Sequence, residues 1–276
     1  MNRFSLKLSL WLICYLALMP SSYADSLYDR VLKTGKIRAA YIVYFPLLMK
    51  DPNTKKFSGI GADALDLIAK RLGVKLEMTE EVPYGTMIEG LKTNRYDMIA
   101  CPVWANATRA RMADFSHPLY YSKICAYTKA GDKRLDSSLS GLNNGKYKIA
   151  CIDGEMCAMI ANADFPNARK LSLPQMADIS ELLISISTGK ADVAFVDPLY
   201  AENFLKHNPH SIQMVASSKP LRIFPNTFMF NVGEEKFKAM FNTALDEIAN
   251  SGELEKIISR YEPQPNAYLR VSRPYQ

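Results

Sequence analysis

Between Ile37 and Val196 the chain runs through strand, helix, strand, helix, strand, and then repeats that order. No other feature limits the fold as much. In the first run Ile37 to Tyr41 reads as a strand. Ala62 to Leu72 puts Ala62, Leu65, Ile68 and Leu72 on one helical face, and Gly73 follows as a stop. Val74 to Met78 is a second strand. Tyr84 to Leu91 is a short helix with Met87, Ile88 and Leu91 on one face, and Tyr96 to Cys101 is a third strand. Such alternation predicts a parallel sheet crossed by helices.

The second run begins at the strand Tyr147 to Ile152. Gly154 turns the chain into a helix over Met156 to Ala161, followed by a short strand at Leu171 to Leu173. Ile179, Leu182, Leu183 and Ile186 mark a helix stopped by Gly189, and Ala191 to Val196 closes the unit. A strand over Ile223 to Asn231 and two amphipathic helices come next. The first carries Phe237, Met240, Phe241, Leu245 and Ile248. The second starts at Ser251-Gly252 and carries Leu254, Ile257, Ile258 and Tyr261. The Pro-rich tail, residues 263–276, has no periodicity and is expected to be disordered or to lie along the surface.

The first 24 residues stand apart from this pattern. Arg3 and Lys7 precede an apolar run from Leu8 to Met19, and small residues at Ser22 and Ala24 suit signal peptidase. The run is about 12 residues, short of the roughly 20 that a membrane span needs. Ile13 before Cys14 does not suit a lipoprotein signal. A soluble exported protein cleaved after Ala24 is expected, leaving about 252 of the 276 residues. That length is comfortable for two domains. No later stretch is long and apolar enough to span a bilayer.

The formal charge of +6 falls to about +4 once Arg3 and Lys7 are cut away. It is spread thinly, with no arginine-rich run or aromatic-basic stripe, so nucleic acid is not an expected partner. Cys101, Cys125, Cys151 and Cys157 survive cleavage, and an oxidising compartment permits them to pair. Cys151 and Cys157 flank the Asp153-Gly154 turn closely enough for a bridge. The alternative is four small buried thiols. His117, His207 and His210 stand at no zinc-ligand spacing from these cysteines, so neither metal nor cofactor is expected.

Open parallel sheets bind ligands at the carboxyl ends of their strands, near helix N-termini. The candidate positions are therefore Tyr44, the stretch from Pro102 to Arg109, the stretch from Asp153 to Met156, and Asp197.

Several segments resemble a known family. Ile37 to Tyr41 with Tyr44-Phe-Pro is similar to the opening strand of the extracellular solute-binding proteins of family 3, the polar amino-acid importer type. Gly59-Ile-Gly-Ala-Asp63 resembles their glycine-acid signature, with Gly61 where an acid is usual. Leu91 to Asp97 resembles the stretch before their third strand, and Arg109 to Pro118 resembles their "R-x-x-x-x-D-F-S-x-P" run. Gly189 to Asp197 repeats the logic in the second half, and Ser251 to Tyr261 resembles the closing helix. The likeness covers about residues 30 to 262.

The resemblance implies a two-lobed, periplasmic-binding-protein-like α/β fold of type II with two hinge crossings, near 125–130 and 215–225. Lobe 1 would comprise residues 25–127 and 219–262, and lobe 2 residues 128–218. It implies a monomeric periplasmic protein that traps a small solute between its lobes and delivers it to a membrane ABC permease made of separate chains. Catalysis is not expected. Arg109 matches the arginine that forks onto a ligand carboxylate, for which planar paired donors are suited. Asp197 matches the aspartate that meets an ammonium group. The bland alternative for Arg109 is a surface salt bridge, and for Asp197 a cap before Pro198. Tyr41, Tyr44 and Tyr84 are candidates to pack on the solute's body.

Three departures bear on the ligand. Pro102 and Trp104 replace small hydroxyl residues, and proline has no N–H to donate. Asn106 replaces a threonine. Glu155 replaces a threonine after Gly154, where its carboxylate would repel a ligand carboxylate. A solute with extra positive charge or a flat apolar face fits Glu155 and Trp104 better. The alternatives are a macrodipole acid for Glu155 and lobe packing for Trp104. Two further functions stay open. One is a dehydratase-like enzyme on the same scaffold, with Glu155 and His117 as its only candidates. The other is a sensor or partner protein without transport.

Overall fold

The computed structural model describes residues 26–135, 139–215, 219–262 and 267–271. The expected leader and its cleavage point after Ala24 lie outside the described residues. Helix α1 (Leu27–Thr34) is capped by Ser26, whose Oγ accepts from Asp29 N at 3.2 Å. Strand β1 (Lys36–Tyr41) follows, then the small hairpin β2 (Met49–Lys50) and β3 (Phe57–Ser58). Helix α2 (Ile60–Leu72) ends at Gly73, whose φ of 66° is the left-handed stop expected there. Strand β4 (Lys75–Glu81), helix α3 (Met87–Lys92) and strand β5 (Met98–Trp104) complete the first run. Helix α4 (Ala107–Ala110) and strand β6 (Ala113–Phe115) lead into β7 (Tyr120–Lys129).

The second run is β8 (Lys148–Ile152), α5 (Met156–Asp164), β9 (Arg169–Leu173), α6 (Ser180–Ser187) and β10 (Val193–Val196). Then come α7 (Pro198–His207), β11 (Ile212–Val215), β12 (Arg222–Asn231), α8 (Glu235–Asn250) and α9 (Glu253–Tyr261). The periodic segments formed as expected, within a few residues at their ends. Helices α1, α4 and α7 and strands β2, β3, β6, β7 and β11 have no counterpart among the segments expected from the sequence.

Each run builds the same half-sheet. In the first, β1 lies parallel to β4 on one side and to β5 on the other. In the second, β8 lies parallel to β9 and to β10. An antiparallel strand closes each half, β12 beside β5 and β7 beside β10. One aspartate in each half fixes this register. The Asp97 N–H donates to Arg38 O at 2.8 Å, and its carboxylate accepts from Arg38 N at 2.6 Å. Asp192 does the same with Lys148, at 2.8 Å both ways. The carboxylate thus satisfies a first-strand N–H just before the third strand begins. This gives a physical reason for an aspartate at both places.

β7 and β12 cross between the halves. Tyr120 to Ile124 pair with β12, while Cys125 to Thr128 pair with β10 and Ala126 to Lys129 with β11. One strand therefore belongs to two sheets, and the change falls between Ile124 and Cys125. Two hydrophobic cores flank these crossings. The first gathers Ile37, Leu65, Phe228, Phe230, Phe237 and Phe241, with α8 and α9 packed back onto it. Phe230 meets Phe237 and Phe241 edge-on at 5.4 and 5.0 Å. Each such ring contributes about 1.5–3 kcal/mol by leaving water. The second core gathers Ile149, Ile160, Leu182, Leu183, Val193 and Phe195. The result is a two-lobed α/β fold in which α1, α8 and α9 pack on the first core.

The described part of the tail does not trail away. Leu269 bridges Tyr121 through backbone hydrogen bonds of 2.7 and 2.9 Å, and the buried Tyr268 ring lies 4.5 Å from Tyr120. Arg270 clamps Glu255 and Glu262. A segment read as aperiodic is thus fastened onto a hinge strand, by contacts that leave no periodic signature.

Candidate functional site

The carboxyl ends of β1, β5, β8 and β10 face one another across the lobes, where open sheets offer ligand sites. A buried cavity of about 40 Å3 lies there, lined from both lobes. Tyr44, Tyr84, Trp104 and Arg109 come from the first lobe, and Glu155 and Asp197 from the second.

Arg109 sits in α4, which Asn106 begins. The Asn106 side chain accepts from Arg109 N at 3.0 Å, so this residue positions the arginine and does not line the cavity. The guanidinium is only 4% exposed. Its Nη1 donates to Trp104 O at 3.2 Å, and its Nη2 donates to Glu155 Oε1 at 2.7 Å. The surface salt bridge is thereby excluded. The partner of Arg109 is a carboxylate from the other lobe.

Glu155 stands at the N-cap of α5, but its side chain makes no capping bond. It reaches across the cleft instead, against the reading that its charge serves the helix end. Asp197 is both a helix cap and part of the cavity wall. Its Oδ1 accepts from Leu199 N at 2.8 Å, capping α7 ahead of Pro198, and its side chain lines the cavity. No ion pair reaches it among the described residues. Burial pushes its carboxyl up to about 6, while the Leu199 N–H, the Ser122 hydroxyl and the Tyr200 N–H pull the other way.

Tyr44 lies in the turn after β1, hydrogen-bonded through its backbone to Leu48 O at 2.8 Å. Its ring stacks on Tyr200 of α7 at 4.8 Å and meets Tyr84 edge-on at 6.1 Å. Burial raises both Tyr44 and Tyr84 well above the usual phenol range, so both are neutral hydroxyls. Trp104 lines the cavity and also stacks on Phe224 of β12 at 5.5 Å. Cleft lining and lobe packing are both its work. Tyr41 is brought elsewhere. Its hydroxyl meets Lys50 and its ring packs on Phe57 at 4.8 Å, outside the cavity.

One further expectation is corrected, and the candidate named for a dehydratase-like alternative is placed. Cys151 and Cys157 are buried free thiols, not a bridge. Cys157 Sγ instead accepts the Ile152 N–H at 3.1 Å, satisfying backbone at the β8 turn. His117 lies outside the cleft on the surface, where Nδ1 contacts Asp246 at 3.0 Å. It can take no part in cleft chemistry.

Tyr200, Ser122 and Ile179 line the cleft without having been candidates in the sequence. Tyr200 had a signal: Asp197-Pro198 is a cap followed by proline at the first helical position, which announces α7. Gly61 and Pro102, two separate departures in sequence, are neighbours in space. A Cβ at residue 61 would stand 2.4 Å from Pro102 Cδ and 3.0 Å from Ala100 O. The proline ring fills the room that a side chain at 61 would need.

The sequence model of the bacterial extracellular solute-binding proteins, family 3, matches residues 37–264. The chain is 26% identical over 220 residues to the L-cystine-binding protein TcyA of Bacillus subtilis (strain 168), covering 79% of this chain and 77% of that one. It is 24% identical over 253 residues to the probable amino-acid ABC transporter periplasmic-binding protein y4tE of Sinorhizobium fredii (strain NBRC 101917 / NGR234), covering 88% and 82%. Among solved structures, the ancestral amino acid-binding protein AncCDT-1, a precursor of cyclohexadienyl dehydratase, superposes with a TM-score of 0.73 at 22% identity. That match covers 86% of this chain and 99% of the other and speaks to the fold.

Proposed function

The chain belongs to the bacterial extracellular solute-binding proteins of family 3, and from that premise we propose that it captures a small amino-acid-like or amine-bearing solute in the periplasm. The solute is held between the lobes and delivered to a membrane ABC permease. The observation that carries this reading is the convergence of Arg109 from one lobe with Glu155 and Asp197 from the other on one buried, aromatic-lined cavity. A charged group from each side of a hinge is what a closing cleft needs to sense a polar solute.

The size of that cavity adds a condition. A space of about 40 Å3 holds roughly three waters, and a benzene-sized cavity is nearer 150 Å3. A solute of amino-acid size that reaches Arg109 therefore requires the lobes to part. Parting them breaks the bond between Arg109 and Glu155, so capture of a solute through Arg109 competes with this ion pair. We read the chain as a binder and not as an enzyme, since its curated relatives are binding proteins and His117 lies away from the cleft.

A thermal-shift screen over amino acids, amines, aromatic acids and small peptides tests the reading. A solute present at 100 times its Kd stabilises by about 2.7 kcal/mol, or about 5–10 °C in a chain of this size. At least one class should produce such a shift in the wild type. A screen in which no class does so would sink the solute-binding reading.

A further inference from the structure

The cleft also contains an outer cavity of about 310 Å3. Tyr44, Tyr84 and Ile179 line both it and the inner one, so the two adjoin. Tyr200 adds a third tyrosine ring to the outer wall, and the charged side chains on that wall are Glu81 and Asp178. Lys50, the cation near Glu81, is turned onto the Tyr41 ring at 4.7 Å and is no part of the lining. The charged groups lining the inner cavity are Arg109, Glu155 and Asp197, which sum to one negative charge with both acids ionised. Across both cavities, four carboxylates face one guanidinium, and Glu155 and a backbone carbonyl already hold that guanidinium.

A zwitterion brings no net charge to such a site. Its carboxylate finds Arg109 occupied and meets the acids around it. A buried anion left without a partner is costly. A monocation neutralises the inner cavity and needs no donor from Arg109. Tyr44, Tyr84 and Tyr200 line the outer cavity, and aromatic rings attract cations electrostatically. Resting on the solute-binding reading above, we propose that the solute of this cleft is an organic monocation without a carboxylate, an alkyl- or arylamine or a guanidine, with its body in the outer cavity. Glu155 acts as the selector: it fills the carboxylate receptor from within and turns away ordinary amino acids.

Matched pairs that differ only by the carboxylate isolate this claim. Calorimetry on the purified protein with isoamylamine against L-leucine, and phenethylamine against L-phenylalanine, gives two independent comparisons. The amine of each pair should bind at least ten-fold more tightly. In Glu155→Gln the amino acids should gain about ten-fold, because Arg109 is released. Amino acids that bind the wild type as tightly as the amines, or more tightly, would overturn the inference and leave the solute-binding reading standing. If no amine and no amino acid binds, both are overturned. Should the variant fail to fold, the wild-type pairs alone decide.

Discussion

Arg109 and Glu155 satisfy each other inside the protein, and neither can be removed alone without exposing the other. Deleting one partner of a buried ion pair costs about 3–5 kcal/mol, whereas replacing both with apolar side chains is often neutral. Arg109→Leu and Glu155→Leu should therefore each destabilise the fold by that amount, and the double variant by much less than their sum. Urea denaturation of the four proteins in the cycle checks this, and additive losses would mean that the pair carries no coupling. Much at this scale was readable in the sequence: Arg109, Glu155, Asp197, Tyr44, Tyr84 and Trp104 all line the cavity. The contact between Arg109 and Glu155 was not, because the two lie 46 positions apart on different lobes. Tyr41 misled because an aromatic at a strand end can turn to either side. Here the side with Lys50 and Phe57 holds it.

At the scale of elements, the tail and the crossing strand β7 act together. Tyr121 exchanges backbone hydrogen bonds with Leu269, and Arg270 holds Glu262, whose side chain is 3% exposed. Arg270→Ala leaves that carboxylate without its cation and frees the strap. Amide exchange at Tyr121 should then speed up markedly, while amides of β4, far from the strap, keep their wild-type rates. Equal protection in both proteins would show that the strap does not hold the hinge. The amphipathic helices and the strands of both half-sheets were legible from their apolar periods. β7 was not, since a strand shared by two sheets keeps no single alternation: its burial alternates from Tyr120 to Lys123 and then runs unbroken from Ile124 to Thr128. The tail was missed for a related reason. A single buried tyrosine and one arginine clamp are enough to fasten it, and neither has a period.

For the molecule as a whole, family-like segments in both halves made the two-lobed architecture legible before any coordinates, and the half-sheets confirm it. What the sequence could not convey is how the lobes meet, because closure depends on pairs from distant segments. In the proposed mode of binding, Asp197 meets a cationic group of the solute. Burial holds this carboxyl up at about 6 in the solute-free protein, and Glu202 nearby pushes it the same way. The tyrosines around it, Tyr44, Tyr120, Tyr127 and Tyr268, are neutral. An acid raised in the folded state lowers stability as pH rises from its unfolded value of about 4 through about 6, and a cation bound beside it restores what ionisation costs. Solute should consequently bind more weakly as pH falls through about 6, where Asp197 takes up a proton. The decisive measurement is calorimetry with the best-binding amine at pH 5 and pH 7.5, on the wild type and on Asp197→Asn. Wild-type affinity should fall at pH 5, and the variant should be weaker at pH 7.5 by about 2–5 kcal/mol, roughly 30-fold to several thousand-fold, with little dependence on pH. Equal affinity in the two proteins at pH 7.5 would contradict that mode of binding.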